Sequence, residues 1–537
     1  MLAKVHAFVL QGIDAIPCEV EVDHAEKAER LPKPAIVGLA DTAVKESLDR
    51  IRSALFNCGY GFPEGRLVIN LAPADVRKEG NALELPVALG ILAVNRVLKQ
   101  GPAGGAASKS GRPSAADLAG GAGERLDHKK YLVAGELALD GRVRPIKGAL
   151  SMAMLAREQR KVGVILPADN APEAAVVPGI DVIPIGLLSE LVGFLNGELE
   201  IPPFRLDESS IDPAIASSGK DFSEVRGQEL AKRALTIAAA GRHNLLLLGP
   251  PGAGKTMLCE RLPSILPALS RQEALEATRV YSACGLMPKG EALIRSRPVR
   301  SPHHTASGPS VIGGGSIPRP GEVSLAHHGI LFLDELPEFP RHVLEVLRQP
   351  LESGTVTISR AHSSITFPAR FMLVAAMNPS HSGRGTIDPR KASATDLAAM
   401  ERYMSRVSGP LLDRIDIHLE VPAVTYRDLT SKAKGTSSAE MRDKVTRAIG
   451  VQRERFGKDG TMTNASMGKP ELEKHATLDD GGHVLMKQAM EELGLSARAF
   501  DKVRKVARTI ADLEGSEKIQ SQHVSEAVQY RLLDRKW

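Results

Sequence analysis

The sequence predicts an α/β protein in which helices cover both faces of a parallel sheet, and three observations lead to this fold class. From Arg226 onward, a helical segment, an apolar strand, a glycine-rich turn and a second helix follow one another, as in the strand–helix units of a parallel sheet. Two later apolar runs, GILFL and FMLVAAM, have the length of buried strands. Beyond Pro422 the pattern is mainly helical. We therefore expect a sheet-containing core followed by a C-terminal helical lid.

The chain is too long for a single ordinary hydrophobic core. Its 537 residues suggest roughly three or four structural units, since a domain usually has about 100–200 residues. Hydrophobic residues make up 43% and charged residues 25%, which is usual for globular proteins, whereas aromatic residues make up only 4%. The formal net charge is +5, so any attraction to nucleic acid has to be local.

Changes in composition divide the chain into successive regions. The first region starts with strand-like alternation and continues with helical periodicity, so we expect an α/β unit of its own. It contains a run rich in Gly, Ala and Ser that cannot bury enough apolar area to become ordered, and a stretch of Pro, Ser and charged residues follows it. The predicted divisions are an N-terminal domain at 1–205 with a flexible insert at 101–127, a linker at 206–221, a sheet-containing core at 222–425 and a C-terminal helical lid at 426–537.

The spacing of the cysteines and the N-terminal sequence indicate the cellular compartment of the protein. Cys18, Cys58, Cys259 and Cys284 lie far apart without a CxxC pair, which argues against a zinc ribbon or a disulfide scaffold. The N-terminus lacks the apolar core and cleavage site of a signal peptide, and no run reaches the ~18 apolar residues that a membrane helix needs. We expect a cytoplasmic protein without a membrane partner.

The segment GPPGAGKT lies directly after the apolar strand NLLLL. Its glycines allow the backbone to wrap closely around phosphates, and the amide groups of the loop and of the following helix attract them. Lys255 is expected to reach the β- and γ-phosphates of ATP, and the hydroxyl of Thr256 is expected to bind Mg²⁺. The predicted nucleotide-binding residues are Gly249, Pro250, Pro251, Gly252, Ala253, Gly254, Lys255 and Thr256.

The segment GILFLDEL places two carboxylates at the end of an apolar strand, as a Walker B motif does. We predict that Asp334 orients Mg²⁺ through its water shell and that Glu335 polarises the attacking water, because phosphoryl transfer depends on positioning and charge compensation. The alternative is a surface acidic pair after a core strand.

Three further residues are candidates for completing the site. Asn378 ends the apolar strand FMLVAAMNP, where its amide would hold the attacking water, and an Asn-Pro turn is the alternative. Arg414, in SGPLLDRIDIHLEV, is a candidate arginine finger for a neighbouring subunit's ATP. Its alternatives are a local pair with an adjacent Asp, and Arg406 as the finger. Arg498, in the first turn of a helix capped by Ser496, is a candidate phosphate contact or an exposed, solvated arginine.

Taken together, the motifs resemble those of the YifB/ComM family of magnesium-chelatase-like AAA+ proteins. Besides the segments above, the resemblance rests on VRGQELAKRALTIAAAG, RPVRSPHHTASG and GGGSIPRPGEVSLAHHG. It implies a homo-hexameric ring that hydrolyses ATP and moves on DNA as a helicase. For the family's competence members it implies branch migration in homologous recombination or natural transformation, together with recombination proteins. Asn378 then corresponds to sensor 1 and Arg498 to sensor 2, acting in cis or in trans.

The N-terminal segments VGLADTAVKESLDRIRSAL, NLAPADVRKEGNALELPVALGILA and GELALDGRVRPIKGAL are similar to the family's domain related to the Lon protease and ribosomal S5 domain-2 fold. The positions that match the protease's Ser and Lys are Ala82 and Leu150, which cannot serve as nucleophile or base. We expect a scaffold or DNA-gripping role for this Lon-like domain. Many relatives carry a cysteine-rich cluster after the sensor asparagine, but no cysteine follows Asn378 here, so a structural zinc site is not expected.

Basic residues cluster in a glycine-containing segment between Lys289 and Pro320 and near the tip of a predicted hairpin, TVTISRAHSSITFPARF. Such elements suit the phosphates of single-stranded or branched DNA, with little sequence preference because stacking aromatics are missing. A solvated basic loop without a ligand is the alternative. The candidate DNA contacts are Arg295, Arg297, Arg300, Arg319, Arg360 and His362.

Two histidine pairs and one competing function complete the predictions. Neither His303–His304 nor His327–His328 has the spacing of a helical metal site, so we expect structural or polar-loop roles. The competing function is a chelatase-type motor that remodels a partner protein to insert Mg²⁺ into a porphyrin. That motor is not expected to carry an N-terminal domain of this size, and no acidic, proline-rich or metal-binding segment follows the ATPase core here.

Overall fold

A computed structural model describes most of the chain. The described residues are 1–25, 34–39, 41–76, 78, 80–98, 126–207, 211–212, 219–315, 318–360, 363–378, 402–424, 426, 435–457, 462–531 and 533. Nearly all of the predicted flexible insert, much of the predicted linker, His362 and the segment that follows Asn378 lie outside the described residues.

The chain forms two compact units, and each is described by itself. The first comprises residues 1–212 and 278–294, and the second comprises residues 213–277 and 295–537. The finer domain divisions given above stay predictions.

The first unit contains a four-stranded sheet, a three-stranded parallel sheet and a short hairpin. Its strands are β1 (Leu2–Gln11), β2 (Asp14–Ala25), β3 (Ala35–Val37), β4 (Arg66–Ala72), β5 (Tyr131–Val133), β6 (Glu136–Leu137), β7 (Val143–Arg144), β8 (Gly163–Pro167) and β9 (Asp181–Ile185). Its α-helices are α1 (Thr42–Asn57), α2 (Glu84–Val94), α3 (Ala149–Glu158), α4 (Ala171–Ala174) and α5 (Leu188–Leu195).

Pairing in this unit follows the alternation seen in the sequence. The first sheet has the order β1-β2-β4-β3, in which β3 runs parallel to β4 and the other pairs are antiparallel. The second has the order β5-β8-β9, all parallel, and β6 pairs with β7. Ala3, Val5 and Ala7 of β1 are buried, as expected for one face of a strand on a core. Asp41 caps α1 by accepting a hydrogen bond from the N–H of Val44.

The second unit contains a five-stranded, fully parallel sheet with the order β11-β14-β17-β10-β18. The strands are β10 (Leu245–Leu248), β11 (Val299–Arg300), β12 (Gly313–Gly314), β13 (Arg319–Pro320), β14 (Ile330–Leu333), β15 (Thr355–Arg360), β16 (Ser363–Pro368), β17 (Met372–Met377) and β18 (Ile417–Glu420). Outside the main sheet, β12 pairs with β13 and β15 pairs with β16. The predicted α/β class with a parallel sheet is confirmed.

The second unit also contains helices. They are α6 (Glu229–Gly241), α7 (Lys255–Arg261), α8 (Arg271–Cys284), α9 (Gly308–Ile312), α10 (Glu322–Leu325), α11 (Arg341–Val346), α12 (Arg348–Ser353), α13 (Gly409–Leu412), α14 (Ser438–Phe456), α15 (Lys469–His475), α16 (Asp480–Leu493), α17 (Ala497–Leu513) and α18 (Ser521–Gln529). Buried side chains of α6, α14, α17 and α18 share one apolar core with β10 and β17. None of the described helices combines the length and apolar character required to cross a bilayer.

Because all five strands run in the same direction, the sheet has two chemically different edges. We call the edge where β10, β14 and β17 end the carboxyl edge, and the edge where they begin the amino edge. The four residues of β10 separate these edges by about 13 Å, at roughly 3.3 Å per residue.

Candidate nucleotide-binding site

The carboxyl edge brings the P-loop, the Walker B acids and the candidate sensor asparagine together. The last residues of β10 and β17 are direct partners in the sheet, and the last residue of β14 pairs two residues before the end of β17. Gly249, Asp334 and Asn378 follow these three strands. The register of the sheet is therefore sufficient to place the three segments side by side.

Glycines shape the P-loop for two different reasons. Gly252 and Gly254 have φ angles of +78° and +89°, in the left-handed region that favours glycine, and a Cβ at either would meet open space. Gly249 is needed for close approach, because its Cβ would lie 2.2 Å from the carbonyl oxygen of Val421. The loop thus leaves room beside its backbone where phosphates would lie.

Lys255 is buried at the centre of the carboxyl edge, with 8% of its surface exposed. Its Nζ donates to the carbonyl oxygens of Gly249 at 2.7 Å and Pro250 at 2.9 Å, and to Oδ1 of Asn378 at 3.0 Å. Burial lowers the pKa of this lysine. Because the three acceptors are neutral, exchanging them for charged phosphate oxygens would strengthen the hydrogen bonds.

Thr256 and Asp334 form the oxygen-rich side of the site. The hydroxyl of Thr256 donates to Oδ2 of Asp334 at 2.9 Å, and the N–H of Glu335 donates to Oδ1 of the same carboxylate at 2.9 Å. Hydroxyl and carboxylate oxygens are the ligands that Mg²⁺ prefers, and one or two such groups suffice when phosphates supply the rest. The residues present therefore fit ATP with Mg²⁺.

Glu335, the residue after Asp334, has an unusual backbone conformation. Its φ is +52°, which is rare for a residue other than glycine and is found preferentially at functional sites. The side chain is 51% exposed, and Oε2 lies 3.5 Å from Nδ1 of His304. Arg406 contacts the segment that follows the Walker B acids, where one of its guanidinium nitrogens is 3.2 Å from Oε2 of Glu338. The runner-up finger is thus on the carboxyl edge.

A cavity of about 720 Å³ lies at the opposite, amino edge of the sheet. Asn244, Gly329 and Met372, at or just before the starts of β10, β14 and β17, form part of its wall. Cations outnumber carboxylates around it. The basic lining residues are Arg242, Arg297, Arg370, Arg414, Arg498, Lys502 and Lys505, and the acidic ones are Glu352, Asp413, Asp416 and Asp501.

Arg414 is fixed on this edge by contacts to both its backbone and its side chain. Its carbonyl oxygen accepts hydrogen bonds from Lys502 at 2.9 Å and from the amide of Asn244 at 3.2 Å. Its guanidinium group pairs with Glu352 and donates to the carbonyl oxygen of Pro410. The Arg414 side chain is 11% exposed, so these contacts largely enclose it.

Arg498, at the start of α17, is the more exposed of the two arginines. Its side chain is 64% exposed, and one guanidinium nitrogen lies 3.9 Å from Oδ2 of Asp413. The structure thus brings Gly249–Thr256, Asp334 and Asn378 together but places Arg414 and Arg498 on the other edge. Neither arginine lies beside the P-loop of its own chain.

Three family models match the chain. One, described as "Magnesium chelatase, subunit ChlI", matches residues 221–429, and one described as "Magnesium chelatase, subunit ChlI C-terminal" matches residues 435–531. The third, described as "Subunit ChlI of Mg-chelatase", matches residues 20–104 and 114–170. The three matches therefore include segments of both compact units.

Several relatives are similar along nearly the whole chain. Competence protein ComM of Haemophilus influenzae is 42% identical over 541 residues, covering 99% of this chain and 98% of ComM. The chain belongs to the YifB/ComM family of magnesium-chelatase-like AAA+ proteins. YifB of Escherichia coli is 41% identical over 538 residues with the same coverage. The magnesium-chelatase 38 kDa subunit of Rhodobacter capsulatus is 30% identical over 226 residues, which cover 38% of this chain and 60% of that subunit.

In this YifB/ComM-family protein, two elements that were predicted to contact DNA meet each other. Arg360, at the end of β15, donates from Nε to the carbonyl oxygen of Gly315 at 3.1 Å, which joins the hairpin to the glycine-rich loop. Arg319, in β13, is exposed, and Arg295 is partly exposed. Arg300 is engaged by Glu322, whose Oε1 lies 2.9 Å from its guanidinium group.

Arg297 is a correction to the predicted DNA contacts. Its side chain is buried, with 5% of the residue exposed. It pairs with Oε2 of Glu273 at 3.1 Å and donates to the carbonyl oxygen of His328 at 2.7 Å. Burial lowers the pKa of Arg297 to about 9. A buried side chain cannot contact DNA, and the position of Arg297 in the sequence did not reveal that it is buried.

The pair His327–His328 forms a hydrogen-bonded cluster with Glu276 of α8. The Nε2 atoms of His327 and His328 lie 3.3 Å and 2.7 Å from Oε2 of Glu276. His327 accepts the backbone N–H of Arg370 at Nδ1, at 3.0 Å, so its neutral ring must carry its proton on Nε2. That nitrogen donates to the carboxylate and has no free lone pair for a metal ion. The arrangement therefore favours the structural role.

The residues at the protease-like positions of the first unit have no acid–base chemistry. Leu150 is fully buried in α3. The carbonyl oxygen of Ala82 accepts the N–H of Gly135 at 2.9 Å, so the backbone of that position serves the fold. The scaffold or DNA-gripping role of the Lon-like domain stays a prediction.

Sequence reasoning assigned no role to Asn244 and only a structural or polar-loop role to His304, and the structure places both at the candidate site. Asn244 bonds to Arg414, donates its N–H to Asp416 at 2.9 Å, and accepts the N–H of Leu373 at 2.9 Å. The sequence feature that could have indicated Asn244 is a polar residue directly before an all-leucine strand. His304 lies beside Glu335. The sequence feature that could have indicated it is a histidine pair shortly after a short strand.

Proposed function

We propose that the protein is a Mg²⁺-dependent ATPase that works as a homo-hexameric ring and moves on single-stranded or branched DNA. The observation that carries the proposal is the division of the site between two edges of one sheet. Lys255, Thr256 and Asp334 meet at the carboxyl edge, whereas Arg414 lines the cavity at the amino edge. A subunit arranged in this way holds one half of a site for itself and the other half for a neighbour.

The residues of the carboxyl edge divide the work of ATP hydrolysis. Lys255 would bind the β- and γ-phosphates, while Thr256 and Asp334 would hold Mg²⁺, which supplies charge compensation on the phosphates when bound. Asn378, already bonded to Lys255, would orient the attacking water. Glu335 would accept hydrogen bonding from that water as the general base.

The residues of the amino edge would act in trans. Since about 13 Å of strand separates the edges, Arg414 and Arg498 would complete the ATP site of the adjacent subunit, docked against the basic cavity. An arginine at this position stabilises charge that develops on the transferred phosphoryl group. This assigns Arg498 to trans action, and it leaves Arg406 as a structural partner of Glu338.

We propose DNA as the polymer along which the protein moves, because exposed basic side chains lie on two elements that contact each other. The glycine-rich loop and the β15–β16 hairpin meet through Arg360 and Gly315, and Arg319 is exposed beside them. Loops of this kind bind phosphates by charge, with little dependence on base sequence. The competence protein ComM, which is similar over nearly its full length, supports a role in competence. We extend the proposal to branch migration during recombination or natural transformation, in the cytoplasm and with recombination proteins.

The decisive experiment measures ATP turnover of the full chain with and without single-stranded or forked DNA. We expect DNA to raise the rate and strand displacement to follow. A Glu335→Gln variant should retain ATP binding and lose at least about 100-fold in turnover, the usual cost of removing a general base. A Lys255→Ala variant, which removes the phosphate contact, is the matched control that should lose binding itself.

Two outcomes would contradict the proposal. Absence of DNA binding at low salt, where phosphate contacts are strongest, would remove the DNA motor. Unchanged turnover in Glu335→Gln would remove the catalytic assignment.

A motor that remodels a protein partner is the second candidate, because the family models matching residues 221–429 and 435–531 carry the name of a chelatase subunit. The similar chelatase subunit, however, covers only 38% of this chain. ATP turnover that is indifferent to DNA, combined with no DNA binding, would favour this second candidate.

A further inference from the structure

The peptide carbonyl oxygen of Arg414 accepts hydrogen bonds from two different elements of the second unit. Nδ2 of Asn244, the residue before β10, lies 3.2 Å from this oxygen, and Nζ of Lys502 in α17 lies 2.9 Å from it. Asn244 is itself fixed to the sheet, because its Oδ1 accepts the N–H of Leu373 in β17 at 2.9 Å. One donor therefore belongs to the amino edge of the sheet and the other to α17.

Lys502 is an enclosed side chain with a firm anchor. It is 17% exposed and pairs with Asp416, whose side chain is 6% exposed. The other carboxylate oxygen of Asp416 accepts the N–H of Asn244 at 2.9 Å. Burial raises the pKa of Asp416, but Lys502 and His243 together hold that pKa well below its usual value. The carboxylate is therefore ionised, and it anchors the lysine that bonds to the carbonyl of Arg414.

Helix α17 brings Lys502 and Arg498 to the same segment of the chain. The two residues are four positions apart, so they are neighbours on one face of the helix, and both line the cavity at the amino edge. Arg498 is 64% exposed and lies 3.9 Å from Asp413, whereas Lys502 is enclosed and bonds directly to Arg414. Lys502 thus joins the helix that carries Arg498 to the backbone that carries Arg414.

The guanidinium group of Arg414 retains one donor without an acceptor. Its terminal nitrogens donate to Glu352 and to the carbonyl oxygen of Pro410. Its Nε atom is buried and has no hydrogen-bond partner among the described residues. A buried donor without an acceptor costs stability, and an anion that enters the cavity would satisfy it. The direction of this N–H depends on where the backbone of Arg414 is held.

We infer that Lys502 is a positioning residue that fixes the backbone of Arg414 and, through α17, its place relative to Arg498. This inference rests on the proposed function, because it takes both arginines as groups that complete the ATP site of an adjacent subunit. Lys502 acts through Arg414 and not by contact with ATP. A finger whose backbone is displaced loses its alignment with the transferred phosphoryl group, and a displacement of about 1 Å can cost roughly 10²-fold in rate.

The first test compares full-length wild type with Lys502→Met, which keeps an unbranched side chain of similar length and removes the donor. ATP turnover is measured in the absence and presence of forked DNA. We expect kcat to fall about tenfold, because the finger is misaligned. The KM for ATP should stay within about twofold of the wild-type value, because the P-loop of the same chain is intact.

The matched control is Arg504→Met, on the same helix. Arg504 is also enclosed, at 14% exposed, but it donates to the carbonyl oxygens of Leu472 and Ala476 and not to Arg414. Its kcat should stay within about twofold of wild type. An equal fall of kcat in Arg504→Met and Lys502→Met would overturn the inference, since the effect would then belong to the helix as a whole.

Mixing variants distinguishes a positioning role from a general loss of stability. Lys502→Met keeps its own Glu335, so it should regain turnover when mixed with Glu335→Gln, whose Arg414 is correctly held. Mixed with Arg414→Ala it should regain nothing, because both variants are then defective at the amino edge. Recovery of turnover in the mixture with Arg414→Ala would overturn the inference.

A double variant separates the lost hydrogen bond from the buried charge that Lys502→Met leaves behind. An unpaired Asp416 carboxylate is costly, whereas Asp416→Asn in the same chain removes the charge and keeps an oxygen that can accept the N–H of Asn244. The double variant should fold and still show the tenfold lower kcat, because the carbonyl of Arg414 still lacks its second donor. Wild-type turnover of the double variant would overturn the inference, since the defect would then come from the unpaired charge.

Failure of the inference and failure of the proposed function are distinguishable. Normal turnover of Lys502→Met beside an inactive Arg414→Ala overturns the inference and leaves the finger in place. Normal turnover of Arg414→Ala overturns the finger, and the inference with it. A wild type that binds no DNA overturns the DNA motor, whereas a tenfold lower kcat of Lys502→Met without DNA, at unchanged KM, still supports the inference.

Discussion

Single residues of the second unit carry their charge in two different ways. Arg297, Glu273 and Glu276 are buried or half-buried among close partners, and their role is to hold α8 against the start of β14. The side chain of Arg414 is 11% exposed and pairs with Glu352, whereas that of Arg498 is 64% exposed and lies near Asp413. Exposure thus differs widely among arginines that look alike in the sequence, and the enclosed ones have carboxylate partners because an unpaired buried charge is costly.

The cluster around His327 makes stability depend on pH. Burial lowers the pKa of His327 from 6.5 to about 4, although Glu276 opposes the shift. Between these values the unfolded chain binds a proton that the folded chain does not, so the free energy of unfolding should fall as the pH falls from about 6.5 to about 4. Urea unfolding at pH 7 and pH 5 measures this change.

A His327→Gln variant should be less stable at pH 7 and should lose less stability between pH 7 and pH 5 than wild type. His483→Gln, at an exposed position of α16, is the control that should keep the wild-type pH dependence. If His327→Gln responds to pH as wild type does, the neutral, Nε2-protonated form of His327 is wrong.

Elements of the second unit were predicted where a local pattern determines them. The strands before GPPGAGKT, DEL and Asn378 are short apolar runs, and in the parallel sheet they are buried along their whole length. The helix after Ser496 begins as expected, with the Ser496 hydroxyl accepting the N–H of Ala499 at 3.2 Å. Caps and periodicity are contained in a few neighbouring residues, so one sequence suffices to find them.

Other features depend on residues far apart in the chain, and no local pattern contains them. The burial of Arg297 depends on Glu273 and on the turn before β14. The contact between Arg360 and Gly315 spans 45 positions. The edge on which Arg414 stands follows from strand order, which the sequence predicts only as a class. These are the parts of the candidate site that needed the structure.

The apolar face of α17 is a prediction that applies to a whole element. Val503, Val506 and Ile510 are fully or almost fully buried in the core shared with the sheet. We expect Ile510→Ala to reduce the free energy of unfolding by about 2–5 kcal/mol, the cost of a cavity left by an isoleucine side chain. Urea denaturation followed by circular dichroism measures it.

The matched control for this helix is Arg498→Ala, whose side chain is mostly exposed. It should change stability by no more than about 0.5 kcal/mol. A loss of stability in Arg498→Ala as large as that in Ile510→Ala would show that the exposed start of α17, and not its apolar face, anchors the helix.

At the scale of the whole molecule, the proposed division of the site between the carboxyl and amino edges would make ATP hydrolysis depend on assembly. Arg414→Ala should bind ATP and lose turnover by about 10³-fold or more, as expected for an arginine finger. Glu335→Gln should also be inactive. When the two are mixed, some interfaces combine Glu335 from one subunit with Arg414 from the other, so turnover should partly return.

The control for the mixing experiment is a variant that carries both substitutions in one chain. A single chain that carries both substitutions supplies neither group to any interface, and adding it to either single variant should restore nothing. Normal turnover of Arg414→Ala alone would contradict trans action. Activity of each variant that is unchanged by mixing would place both groups in one subunit's site.

The sheet that holds Lys255 and Arg414 on opposite edges also has a consequence for how the protein behaves in a cell. On the proposed function, a copy without neighbours would bind ATP without hydrolysing it, because its Arg414 would serve only the site of an adjacent subunit. Hydrolysis would then begin only when subunits assemble. The number of copies and their local concentration on DNA, and not the ATP concentration, would then determine when the protein hydrolyses ATP.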